Sequence, residues 1–147
     1  MSLIEELGSE LNGIELLRKM IAGDLRPGMA HTLDMRLIEA EEGRVWLEAK
    51  PGAQHYNPMG TVHGGFAATL LDFACGYAVV SRLLPRQSFS TIELKVSYHR
   101  PLTADTGKVR AEGMIVSLGR RAAFMQARLV DGNDKLCASA TSSALLI

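Results

Sequence analysis

The sequence predicts an α+β domain in which one antiparallel sheet surrounds one central helix. Three observations carry this. Residues 65–84 are apolar nearly all round and stop at Pro85, which marks a helix buried on most sides. An amphipathic helical region and a β-hairpin precede that stretch. Four strand-like segments follow it with only short turns between them, the pattern of an antiparallel meander or a near relative. The chain has 147 residues, which fits a single domain with a sizeable core.

Taken in order, the first 22 residues read as helix, because Leu7, Leu11, Ile14, Leu17 and Ile21 fall three or four apart. Ser2 with Glu5, and Asn12 with Glu15, have capping-box spacing, so Gly8 and Gly13 split the region into two short helices. Pro27-Gly28 ends it. A division into a helical extension, residues 1–26, and a main domain, residues 27–147, follows. Residues 29–40 and 44–50 read as a hairpin around Glu41-Glu42-Gly43, with Val45, Leu47 and Ala49 on the inner face of the second strand. A loop over residues 53–63 leads into the central helix, whose small residues Gly65, Ala68, Cys75, Gly76 and Val79 recur at helical spacing. Beyond Pro85, Thr91, Glu93, Lys95 and Ser97 alternate with Ile92, Leu94, Val96 and Tyr98 without a fault. Strands over 109–118, 122–130 and 135–145 complete the chain.

Sixteen Lys and Arg balance sixteen Asp and Glu. That neutrality argues against broad binding to nucleic acid or to anionic membranes, while leaving room for a local anion site. Only two cysteines occur, Cys75 and Cys137, without a CxxC or histidines at metal spacing, so neither a disulfide framework nor a structural metal site is expected. The acidic N-terminus lacks the features of a signal peptide, and the longest apolar run carries Asp72 and is too short to span a bilayer. The cytoplasm is the expected compartment.

The residues able to carry chemistry lie between Tyr56 and Asp72. A glycine-bearing loop, Asn57-Pro58-Met59-Gly60-Thr61-Val62-His63-Gly64-Gly65, opens the buried helix. The first amides of a helix lack intrahelical acceptors and carry partial positive charge. Gly64 and Gly65 leave those donors unshielded, which suits an anion or a polarised carbonyl, and suits a tight turn equally well. Asp72 stands among Leu70, Leu71, Phe73 and Ala74, where burial raises a carboxylate's pKa, as a general base or nucleophile requires. An Arg partner or a solvent-facing position would also account for it. His63 reads as a residue that shapes the loop; His31, His55 and His99 have no supporting partners.

Asn57-Pro58-x-Gly60-x-x-His63-Gly64-Gly65, with Asp72 nine residues after His63, resembles the signature of hotdog-fold thioesterases, most closely the PaaI-like acyl-CoA thioesterases. The run from Ser90 to Pro101 and the turns at Asp105-Thr106-Gly107, Gly119-Arg120-Arg121 and Asp131-Gly132 resemble later parts of the same family. The resemblance implies an antiparallel sheet wrapped around a long helix, and a homodimer or dimer of dimers with active sites at the dimer interface. It implies that the Gly64 N–H, assisted by Asn57 and with Gly65 beside it, polarises a thioester carbonyl. Asp72 of the other subunit would act as base or nucleophile, Thr91 or Ser90 would orient the water, and His63 would brace the loop. The substrate implied is an acyl-CoA, hydrolysed without metal or separate cofactor; Phe66, Phe73, Tyr77 and Phe89 would suit an aryl or medium-chain acyl group, and core packing accounts for them equally well. Arg100, Arg120 and Arg121 are candidates for the phosphates of coenzyme A. The rival readings are a hotdog dehydratase or hydratase and a binding module that holds acyl-CoA without turning it over.

Overall fold

Helix α4 (Gly64–Val80) is the axis on which the other elements are laid. The structure, a computed structural model, describes residues 2–147. One antiparallel sheet packs against α4, formed by β1 (Arg36–Glu41), β2 (Arg44–Ala49), β3 (Phe89–Tyr98), β4 (Val109–Leu118), β5 (Ala122–Val130) and β6 (Leu136–Leu146). The strand order is β1-β2-β4-β5-β6-β3. Leu70, Leu71, Ala74, Cys75, Ala78 and Val79 of α4 are wholly buried, together with Val45 and Leu47 of β2 and Val109 and Ala111 of β4. Small side chains let helix and sheet approach closely: a Cβ on Gly113 of β4 would lie 2.1 Å from the Ala74 carbonyl oxygen.

Both expected capping boxes form, giving α1 (Leu3–Leu7) and α2 (Gly13–Ala22). The amphipathic face of α2 enters the chain's own core through Leu16, Leu17 and Met20. Gly13 donates its N–H to the Leu83 carbonyl at 2.9 Å, and a Cβ there would lie 1.5 Å from the Val80 oxygen. Helix α2 therefore closes the C-terminal end of α4. Ser81, buried at that end, donates to the Ala78 carbonyl at 2.6 Å and accepts the Gly43 N–H at 2.7 Å, tying the β1–β2 turn to the helix.

The structure corrects the sequence reading in three places. Residues 29–32 are not strand but a helical turn, α3 (Met29–Thr32). Gly28 and Asp34 take positive φ there, and the Met35 N–H donates back to Ala30, so extended backbone begins only at Arg36. The last four strands are not a simple meander either. The chain leaves α4 at the far side of the sheet, so β3 pairs with β6 and forms an edge, while β4 returns to pair with β2. Finally, a bulge between Thr91 and Glu93 breaks the faultless alternation of β3. Thr91 thus turns inward with Leu94 and Val96, and Ile92 stands 63% exposed. Among the described residues no helix is long and apolar enough to cross a membrane.

Candidate active site

The loop before α4 is held by its own polar groups. The Asn57 carboxamide oxygen accepts the Met59 N–H at 2.9 Å and the Thr61 N–H at 3.3 Å, while Nδ2 donates to Thr61 Oγ1 at 3.2 Å. Tyr56 and Val62 close the base of the loop as an isolated bridge, and Gly60 supplies the positive φ at its tip. His55 supports it from below: Nδ1 accepts the Gly52 N–H at 3.0 Å and the ring packs 4.5 Å from Phe66. Burial lowers the His55 pKa, which keeps that nitrogen an acceptor.

The first amides of α4 can then be accounted for one by one. The His63 N–H donates to the His55 carbonyl at 2.7 Å, and the Phe66 N–H to the His63 carbonyl at 2.9 Å. His63 Nδ1 accepts the Gly65 N–H at 2.9 Å, so His63 is the N-cap. Among these, only the Gly64 N–H has no acceptor among the described residues. Gly64 lies on a cleft of about 320 Å³, together with Val62, His63, Tyr98, Arg100 and Leu102. The Tyr98 hydroxyl donates to the Gly64 carbonyl at 2.8 Å and fixes the Gly64–Gly65 peptide, the one that follows the unpaired N–H. A Cβ on Gly64 would lie 2.9 Å from that hydroxyl.

Asp72 belongs to a second group, farther along α4. It lies eight positions along the helix from Gly64, about 12 Å of rise. It is half-buried, and Thr91 Oγ1 donates to its Oδ1 at 3.4 Å. Burial raises its pKa, and the Thr91 bond opposes the shift. Burial, with the Asp72 charge adding to it, pushes the Cys75 thiol up to about 12 and leaves it unreactive. Around Asp72 runs a stripe of α4 that the sheet leaves half open, including Ala68, Thr69, Phe73 and Tyr77. The Phe73 and Tyr77 rings stack at 5.6 Å, and burial raises the Tyr77 hydroxyl to about 12.

Within one chain the expected site residues therefore form two sets. Asn57, His63, Gly64, Gly65 and Arg100 gather at the N-terminal end of α4. Asp72 and Thr91 lie beyond its midpoint, and Ser90 is next to Thr91 but exposed. Ala122, Leu145 and Ser90 stand side by side across β5, β6 and β3, so the exposed Arg120-Arg121 turn belongs to the Asp72 end. Tyr98 and His55 are the residues that sequence reasoning missed. Tyr98 carried a usable signal, since it closes the inward-facing series of β3; His55 acts mainly through backbone partners and carried none.

Comparison with known proteins bears on the family and the fold. The family model of the thioesterase superfamily matches residues 59–138, which include the Gly64 amide, Asp72 and Thr91. A candidate esterase of Halobacterium salinarum is 32% identical over 124 residues, covering 80% of each chain. The proofreading thioesterase EntH of Klebsiella pneumoniae is 29% identical over 66% of this chain and 69% of its own length. Among solved structures, a variant of the phenylacetic acid degradation protein PaaI of Thermus thermophilus superposes with a TM-score of 0.72 at 28% identity, covering 80% of this chain and 96% of that one. The chain belongs to the thioesterase superfamily and is a thioester hydrolase of the hotdog fold.

Proposed function

We propose that this protein hydrolyses acyl-CoA thioesters to the free acid and coenzyme A, in sites that two copies of the chain build together. The Gly64 N–H carries this reading: it is a helix-terminal donor without an acceptor among the described residues, opening on a cleft, and Tyr98 holds the carbonyl of the same residue. Such a donor stabilises the oxyanion that forms when a thioester carbonyl is attacked. The chemistry also needs a base, and Asp72 of the same chain stands too far along α4 to reach that carbonyl. Asp72 of a second copy, its helix running antiparallel, completes the set.

In this scheme a water attacks the carbonyl carbon while the Asp72 carboxylate takes its proton. Collapse of the tetrahedral oxyanion breaks the C–S bond, and the departing thiolate recovers the proton from Asp72. Thr91 orients the carboxylate. His63 and Asn57 hold the loop, and one Nδ2 hydrogen of Asn57 remains available to the oxyanion. Arg100 from one copy and Arg120 and Arg121 from the other supply cations for the phosphates of coenzyme A. The acyl group is aryl or medium-chain, because Phe73 and Tyr77 line the open stripe beside Asp72.

The test is thiol release from short, medium, long and aryl acyl-CoAs, with Asp72→Asn and Gly64→Pro alongside. Proline is compatible with the first helical position, and His63 already has the φ of −57° and ψ of 135° favoured before proline, so the change removes the N–H; its Cβ also presses on the Tyr98 hydroxyl, an effect that Gly64→Ala, which keeps the N–H, measures separately. Turnover should fall by about 10²–10⁴-fold in Asp72→Asn. Near wild-type turnover in either variant would remove that residue from the reaction.

A further inference from the structure

Helix α4 covers the inner face of the sheet. On the outer face, across β3, β6, β5 and β4, lies a cavity of about 400 Å³. Ala127, Ala138 and Ala140 are buried in the core, so their neighbours along each strand point outward. The strand registers arrange those neighbours in two rows. Lys95, Thr141 and Gln126 stand side by side in one, and Ser97, Ser139 and Arg128 in the other. Each cation therefore flanks a hydroxyl of β6: Lys95 is next to Thr141, and Arg128 is next to Ser139. Two strand spacings and two residues of rise put the Cα atoms of Lys95 and Arg128 about 12 Å apart, a span that two long side chains close from opposite sides.

No carboxylate neutralises these cations. Among the described residues neither Lys95 nor Arg128 forms an ion pair. Glu112, the carboxylate that lines the cavity, is held by Arg44 at 2.5 Å. Glu93, two residues along β3 from Lys95, lies outside the lining, and Asp134 borders Arg128 from the β5–β6 turn without pairing with it. The hydroxyls are free as well. Ser97 and Thr141 make no side-chain hydrogen bond among the described residues. Ser139 Oγ lies 2.8 Å from His99 Nε2. With the hydrogen on Nε2, His99 donates to that oxygen, and the Ser139 hydrogen is left for an incoming acceptor.

We propose that this outer-face cavity binds a phosphate group, with Lys95 and Arg128 on either side and the Thr141 and Ser139 hydroxyls beneath. Donors from three strands exceed what the two oxygens of a planar carboxylate can use. A tetrahedral phosphate offers three oxygens and a charge that matches both cations. The site stands apart from the function proposed above: it lies on the opposite face of the sheet from Thr91 and Asp72, and it uses none of the arginines assigned to coenzyme A. Free phosphate and the phosphomonoester of a larger metabolite share this chemistry, and Met114 and Leu136 at the cavity wall suit the organic part of the second.

The experiment is isothermal titration calorimetry with inorganic phosphate and with glycerol phosphate, chloride keeping the ionic strength constant. Lys95→Gln and Arg128→Gln should each weaken binding about tenfold. Thr141→Val should weaken it severalfold, an effect that loose attraction to two cations does not produce, because the charge is unchanged. Arg18→Gln, which removes an exposed cation of α2, should leave it as in wild type. Urea unfolding of each variant without phosphate separates lost binding from lost fold. Tighter binding of glycerol phosphate would identify a phosphomonoester as the occupant; equal or weaker binding would identify free phosphate. No binding at millimolar phosphate, wild-type affinity in Thr141→Val, or a loss in Arg18→Gln as large as in Lys95→Gln would overturn the site. So would binding that depends on Arg100 or Arg121 and not on Lys95.

Discussion

Asp72 is held between two opposing influences, and its titration separates them. Burial raises its pKa, while the bond from Thr91 favours the charged form. A general base works only when deprotonated, so thiol release should fall as the pH drops through a pKa above the ordinary aspartate value. In Thr91→Val that midpoint should move further up, with the alkaline rate changed much less; a pH–rate profile of both proteins checks it. The same shift has a thermodynamic side. A carboxyl whose folded pKa is raised stabilises the fold only while protonated, and that contribution disappears as the pH rises from the unfolded pKa through the folded one. Asp72→Asn should therefore melt higher than wild type near neutral pH, and by no more than wild type below the ordinary aspartate pKa. An equal difference at both pH values would show that desolvation of the charge is not the cause. At this scale the sequence was informative where residue type alone restricts chemistry: a carboxylate amid apolar neighbours, and glycines at the start of a helix. It set Tyr98 at the end of the inward-facing series of β3 but not at its partner, because that role depends on a strand reaching the helix terminus from more than 30 positions away.

Packing between elements turns on two glycines at which backbone meets backbone. Gly13 of α2 abuts the end of α4, and Gly113 of β4 lies against its middle. In both places the obstructing atom is a carbonyl oxygen, which cannot rotate aside as a side chain can. Gly13→Ala and Gly113→Ala should each destabilise the fold by about 3 kcal/mol or more, read from the midpoint of urea unfolding. Because Gly13 lies far from the Gly64 cleft, any folded fraction of Gly13→Ala should keep its kcat. Elements written in local spacing were legible beforehand: the capping boxes at Ser2 and Asn12, the buried faces of α2 and β2, the turn at Gly119-Arg120-Arg121. Those that depend on long-range pairing were not. No pattern within residues 89–98 reveals that β3 will lie beside β6, and a bulge imposed by that pairing reverses the alternation read from Thr91. The stretch from Met29 was misread for a related reason, since the bond from Met35 to Ala30 forms only once Gly28 and Asp34 adopt their positive φ.

For the molecule as a whole, the two sets of site residues impose a constraint that a self-contained site would not. If each reaction uses Gly64 from one copy and Asp72 from the other, two inactive variants can repair each other. A hybrid of an Asp72→Asn chain with a Gly64→Pro chain has one site in which both groups are damaged and one in which both are intact. With random pairing, half of the dimers are hybrids and half of their sites are whole, so the mixture should recover about a quarter of wild-type thiol release. Each variant alone should remain near its own low rate. Co-refolding equal amounts of the two and assaying the product makes the measurement, with the ratio varied to confirm that activity peaks at equality. Recovery requires sites built across the interface, because no reassortment can mend a site whose Gly64 and Asp72 come from one chain. Failure of the mixture, with hybrid dimers shown to be present, would confine both groups to a single chain and require α4 or its loop to rearrange by about 12 Å before catalysis. The density of packing around Ala74 and Gly113 makes such a movement costly, and that cost is the physical reason for expecting the second copy to supply the base.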